Sequence, residues 1–314
     1  MTEAVTPLAD LKASLIQNLS NPAESYWDDI LAKAEMTLAT AIDAGDEDQA
    51  NHAWFLRTVA EARGRFVKCF NLILQNECYK AWCEFEKVEI ALPWLIRNPF
   101  LDTRAFEVEK LIALVRQWQS LFPYKVFFSP GYIHKHKECT ICLTAITPWT
   151  SCEHERGRVY GGRECLHRAT ITQILEISLV LDPVQKYSVG FVGKDANGKS
   201  VDHHDYSIVR FLADRLPNPF DGWRIHWTEA YHPHTLFPLA TPEGPCPCES
   251  GRSYKSCCLP KRGVIRPHAQ FGFEKEPPRE LPNAAFAGYG EQNGPAALRR
   301  DDSEPSTVAT AAVS

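Results

Sequence analysis

Leu8, Leu11, Leu15 and Leu19 recur at the spacing that lines one face of a helix. Thr6-Pro7 just before them supplies a cap residue followed by a proline at the first helical position, and Asn21-Pro22 breaks the run. A second stripe passes through Ile30, Leu31, Ala34, Leu38 and Ile42 and stops at Gly45, where a left-handed cap is expected. From Asp48 to Leu95 the pattern stays helical and rich in aromatic residues, with Gly64 as its one weak point. After a cap at Asp102, Phe106, Ile112, Val115 and Trp118 predict a further helix. Short connections between such elements predict an antiparallel bundle over residues 1–122.

The texture changes near Tyr124 to β-branched runs separated by turn residues. "YKVFF", "EISLVL", "YSVGFV" and "WRIHWTEAY" read as strands, with Trp223, Trp227 and Tyr231 spaced as core-facing strand residues. "DYSIVRFLADRL" reads as a helix ended by Pro217 and Pro219. The expected class is therefore α+β: a helical region over 1–122, an α+β domain over 123–240, a cysteine-rich module over 241–262 and a tail over 263–314. The tail, rich in Pro, Ala, Gly and Ser, is expected to be disordered.

At 314 residues, 44% of them hydrophobic, the chain can bury a substantial core. A net charge of −5 argues against nucleic-acid binding by bulk electrostatics. No apolar run is long enough to span a bilayer, and "MTEAVTPLADLKASLIQNL" is amphipathic and begins acidic, unlike a signal peptide. These features predict a cytoplasmic protein, where clustered thiols favour metal over disulfides. Cys69, Cys78 and Cys83 lie apart on helical stretches and are expected to be buried free thiols.

The remaining cysteines carry the chemistry. Cys246, Cys248, Cys257 and Cys258 form C-x-C-x8-C-C, four soft ligands able to close a tetrahedral shell around zinc. The segment holds almost no apolar side chain beyond Tyr254, so burial alone cannot offset the entropy of ordering it; metal binding can. "CPCESGRSYKSCC" resembles the SEC-C motif, the zinc module at the C-terminus of the bacterial protein-export motor ATPase and of many other bacterial proteins. Cys246, Pro247, Cys248, Ser250, Gly251, Tyr254, Lys255, Cys257 and Cys258 match the pattern. Glu249 replaces its usual glycine, and Cys258 stands where the motor has histidine. The resemblance covers this short stretch alone. It implies bound zinc and a docking surface for a protein partner, presented by Arg252, Tyr254 and Lys255.

A second cluster, "CTICLTAITPWTSCEHERGRVYGGREC", offers Cys139, Cys142, Cys152, His154 and Cys165. The C-x-x-C turn supplies two ligands of one tetrahedral zinc site; Cys152 and His154 come next in order, then Cys165, with His167 the weakest candidate. Gly161 and Gly162 would let the chain fold back so that Cys165 approaches the C-x-x-C turn. The pattern resembles half of a RING-type or treble-clef finger, but the second C-x-x-C of a two-zinc RING is absent and ubiquitin-ligase activity is not supported. Two zinc ions are expected in all.

"GKDANGKS", from Gly193 to Ser200, matches the phosphate-binding loop pattern, yet the polar "VDHHDYS" that follows is a poor first helical turn. Asn197-Gly198 instead suits a tight hairpin turn. His203, His204, His232 and His234 are candidates for a further metal or catalytic cluster. The reading is a non-enzymatic zinc-binding adaptor that docks on a protein partner, with self-association through the helical region as a further contact. An enzyme using the Lys199 loop or the His203/His204 region, and a nucleic-acid-binding zinc protein, are the alternatives.

Overall fold

The structure, a computed structural model, describes residues 6–275 apart from 192 and 203. The chain divides into two compact units that interleave in sequence. The first comprises residues up to Gln119, Val126–Phe191 and Asn218–Phe220. Its helices are α1 (Leu8–Gln17), α2 (Glu24–Asp43), α3 (Glu47–Leu74) and α4 (Cys78–Arg97), then a 3₁₀ turn (Thr103–Phe106) and α5 (Val108–Ser120). The long helical pattern from Asp48 to Leu95 is two helices. The break is at Asn76, which takes the left-handed conformation (φ 64°) that asparagine tolerates better than most residues. Gly64 breaks nothing. A Cβ there would sit 2.9 Å from Cβ of Trp27, so the glycine lets α3 approach α2 closely.

The first unit's core is aromatic: Trp27, Trp54, Phe55, Phe66, Phe85, Phe106 and Trp118 are fully buried. Arg63 is buried among them. Its guanidinium donates to the carbonyls of Leu19 and Phe106 and lies 5.3 Å from the Phe220 ring, and burial brings its pKa down to about 10. One cation thus ties the end of α1's connection, the 3₁₀ turn and the returning 218–220 segment to α3.

A long antiparallel ribbon joins this unit, β1 (Phe127–Cys139) against β4 (His167–Val180), with register shifts at Gly131/Tyr132, Ile133/His134 and His134/His136. Between them lies the short hairpin β2 (Val159–Tyr160) and β3 (Arg163–Glu164). The described residues of "YSVGFV", Tyr187 to Phe191, form no strand; among them Val189 bridges Phe127. Side chains of α4 claim the backbone that leads into it. Glu86 accepts the amides of Lys186 (2.6 Å) and Tyr187 (2.8 Å), and Trp82 and Tyr79 donate to the carbonyls of the same two residues.

Of the described residues, the second unit holds 120–125, the 193–217 stretch and 221–275. It contains a hairpin, β5 (Gly193–Lys194) with β6 (Ser200–Val201), then α6 (Ser207–Ala213) and a second ribbon, β7 (Trp223–His232) paired with β8 (Val264–Phe273) along its whole length. The disordered tail expected from residue 263 therefore begins too early. Val264, Arg266 and Ala269 are buried along β8, whose apolar positions are interrupted by the Pro, Gly and His residues that suggested disorder. The tail beyond 275 lies outside the described residues. The class is α+β, with a helical N-terminal region and small antiparallel sheets.

Candidate metal centres

Cys139 closes β1 opposite His167, the first residue of β4. The turn after it is held by Leu143 N to Cys139 O (2.9 Å) and Cys139 N to Thr144 O (3.0 Å), with Leu143 left-handed at φ 60°. This brings Cys142 back beside Cys139. The next loop delivers Cys152 and His154, and donor atoms of the four residues all lie within 4.8 Å of one another. Three thiols and an imidazole suit a tetrahedral zinc shell. His154 itself tests the fit: its Nδ1 is buried with no hydrogen-bond partner, a cost that a metal bond to that nitrogen would remove.

The thiols are electrostatically unequal. Burial raises Cys139, but amide donors from Cys142 and Ile141 and the thiols of Cys152 and Cys165 outweigh it and bring its pKa to about 7. The Thr144 hydroxyl lowers Cys142. Cys165 goes the other way, to about 11, through burial and the adjacent Cys139. Its Sγ lies 3.8 Å from that of Cys139, but it is outside the four-donor set. His167 is outside it as well.

The helices of the same unit hold this centre's loops. Asn98, just past α4, donates to Gly157 O (3.0 Å) and accepts from Val159 N (3.0 Å). Asn51 of α3 accepts from Gly162 N (2.9 Å), Trp54 donates to Glu164 (3.1 Å), and Arg97 pairs with Glu155. Gly161 (φ 53°) and Gly162 (φ 72°) form the β2–β3 turn, and a Cβ on Gly162 would meet Leu38 Cδ1 at 2.6 Å and Ala50 O at 3.0 Å. The glycines do turn the chain back, as the sequence suggests. The helical anchors, some 60 to 110 positions away in the chain, leave no local signal.

Cys246, Cys248, Cys257 and Cys258 lie in the connection that closes β7 onto β8, and their four sulfurs are likewise within 4.8 Å of one another. Cys246 N donates to Arg252 O (2.8 Å), and Pro245 bridges Ser253. Gly251 (φ 77°) and Glu249 (φ 61°) make the turn. Burial raises Cys248, yet the Ser250 and Cys246 side chains win and hold it at about 7, while burial pushes Cys258 well up. Four thiols and no other donor again fit zinc.

Tyr254 is not a surface residue. It is 4% exposed, packed with Cys246, Cys257, Cys258 and Val264, and its hydroxyl bonds to His234 Nδ1, whose Nε2 meets Lys261 O at 2.9 Å. The expectation that it faces a partner is corrected: its ring is the lid of this small core. Arg252 and Lys255 are exposed, with Lys255 paired to Glu243 at 3.1 Å. Arg266 of β8, which is buried, donates to Pro247 O (2.8 Å) and to the Glu249 carboxylate (2.5 Å), a role no motif announces.

The other candidates do not converge. In the β5–β6 hairpin Asp195 Oδ1 accepts the amides of Asn197 and Lys199, both at 2.9 Å, so a carboxylate occupies the donors a phosphate would need. No helix starts at Lys199; α6 begins at Ser207. His204 pairs with Asp202 (3.0 Å), His232 packs on His268, and His234 serves Tyr254; His203 lies outside the described residues. Among the described residues, the two cysteine clusters are the groups able to hold a metal ion. Cys69 and Cys78 are buried and Cys83 half-buried, all on helices. No described helix is long and apolar enough to cross a membrane. Comparison with protein families, with characterised proteins and with solved structures finds no match for this chain.

Proposed function

We propose that this protein is a non-enzymatic docking protein holding two structural zinc ions, one in each centre. The observation that carries the reading is the convergence of two separate four-donor sets, each saturating a tetrahedral ion and leaving no position for substrate. The second centre is read as a SEC-C-type module. The left-handed conformation of Glu249 supports that resemblance, because the motif's usual residue there is glycine, which takes such a φ without strain. The module's exposed Arg252 and Lys255 are the surface offered to an acidic protein partner. Tyr254 supports them from below.

Metal analysis of the purified protein should give two zinc ions per chain, and the Cys246→Ser/Cys248→Ser variant one. Affinity purification of both forms from cells that express the protein, with mass spectrometry of bound proteins, tests the docking role. Partners lost with the double variant or with Arg252→Glu/Lys255→Glu support it. An identical set from all forms overturns it.

A further inference from the structure

Five donors crowd a centre that needs four. Cys165 is fully buried, and its sulfur lies 3.8 Å from that of Cys139. In the zinc-loaded centre, with Cys139, Cys142, Cys152 and His154 as ligands, Cys165 has no metal position to fill. Its own place does not depend on the metal. Cys165 N donates to Arg158 O (2.8 Å), its carbonyl accepts from Gly157 N (2.9 Å), and that hairpin is bonded to Asn98, Asn51 and Trp54 of the helical body. The Cys142 and Cys152 thiols bond within their own loops, to the Thr144 hydroxyl and to His154 O, and the loop beyond His154 is tied to the helical body through Arg97–Glu155.

We propose that Cys165 is the oxidation partner of Cys139, and that a hydroperoxide converts this pair to a disulfide at the expense of the bound metal. This rests on zinc occupying the first centre only for the metal-release part. Cys142, the exposed thiol of the cluster, is the point of entry. Its thiolate attacks the peroxide O–O bond, giving a sulfenic acid and releasing water or alcohol after protonation. The Cys139 thiolate displaces the hydroxyl as water and forms a Cys139–Cys142 disulfide. Cys165 then attacks the Cys139 sulfur and expels Cys142, the Cys165 proton passing to the departing Cys142 sulfur as the S–S bond exchanges. In sum the Cys139 and Cys165 sulfurs give two electrons to the peroxide, which leaves as water and water or alcohol, and only Cys142, Cys152 and His154 would remain to hold the metal. The bond settles on Cys165 because the hairpin fixes that thiol beside Cys139, sulfur to sulfur 3.8 Å.

The test treats the full-length zinc-loaded protein with hydrogen peroxide, follows zinc with a chromogenic chelator, alkylates free thiols, and maps the cross-linked peptides by mass spectrometry. The expected result is a peptide pair joined through Cys139 and Cys165, appearing together with loss of one zinc ion per chain. Cys165→Ser should bind the same amount of zinc as the parent, yield no such pair, and regain its zinc on thiol reduction no better than the parent does. A Cys165→Ser protein that carries one zinc fewer would make Cys165 a ligand and overturn the proposal. So would an oxidised parent in which Cys139 is joined only to Cys142 or Cys152. If the parent binds no zinc yet forms the Cys139–Cys165 pair, the structural-zinc reading fails and the pairing stands.

Discussion

Glu249 shows how one side chain can be wrong locally and right in context. A non-glycine residue at φ 61° stores roughly 1–3 kcal/mol of strain. Its carboxylate, however, is the ion-pair partner of Arg266, whose side chain is 2% exposed. Stripping a buried cation of its partner costs about 3–5 kcal/mol, reduced here because Glu249 is itself partly exposed. The second effect outweighs the first. Glu249→Gly, although it restores the residue that favours the turn, is expected to lower the unfolding free energy by about 1–2 kcal/mol. Denaturant unfolding of the zinc-loaded protein followed by tyrosine and tryptophan fluorescence would measure it, and a stabilised variant would contradict the account. The substitution of glycine is plain in the sequence. The partner that makes it tolerable is 17 positions away on a strand the composition disguises.

The ribbon of β7 and β8 carries a pH dependence of its own. His232, on β7, is 2% exposed, and burial, with help from His268 and Arg266, lowers its pKa from the ordinary value of 6.5. The facing groups are His268 and Arg266 on β8, and neither supplies a counter-charge. The unfolded chain therefore binds a proton below pH 6.5 that the folded ribbon resists, so stability falls as pH drops below that value. His232→Leu removes the titrating group. Thermal unfolding of the parent and the variant at pH 7.5 and pH 5.5 is expected to show a smaller acid-induced drop for the variant, and equal drops would contradict it. Helices behave more simply as elements. Of the predicted stripes, Leu11, Leu15, Ile30 and Ala34 are buried, while Leu8, Leu19, Leu31, Leu38 and Ile42 are half-buried and Trp27, Thr37 and Ala41 complete the inward face of α2. The break at Asn76 escapes the pattern because apolar periodicity continues across it, and only the left-handed turn separates α3 from α4.

For the molecule as a whole, the strand β8 beyond residue 262 is the prediction that most separates structure from sequence. A chain ended after residue 262 keeps all eight metal donors and loses β8, the whole pairing partner of β7. One ended after residue 275 keeps both. The shorter chain is expected to lose soluble expression or to melt several degrees below the longer one, because it lacks the strand that pairs with β7. Equal behaviour of the two truncations would show β8 to be dispensable. The chain's two units each carry one candidate centre, and in both the donors sit where a ribbon ends or turns.

What the sequence determined by itself is what depends on neighbours in the chain. Helix stripes, the Asn197-Gly198 hairpin and the Cys139/Cys142 and Cys246/Cys248 pairs are set by spacings of a few residues, and local geometry realises them directly. Tertiary structure decided the rest. It placed Cys152 and His154 beside the C-x-x-C turn and left Cys165 one sulfur contact away, because Asn98, Asn51 and Trp54 fix the hairpin that bears Cys165. It also buried Tyr254 beside His234 and gave the amides of Lys186 and Tyr187, where the described part of "YSVGFV" begins, to Glu86. Each of these outcomes turns on a hydrogen bond between residues 20 or more positions apart, where periodicity and motif spacing carry no information.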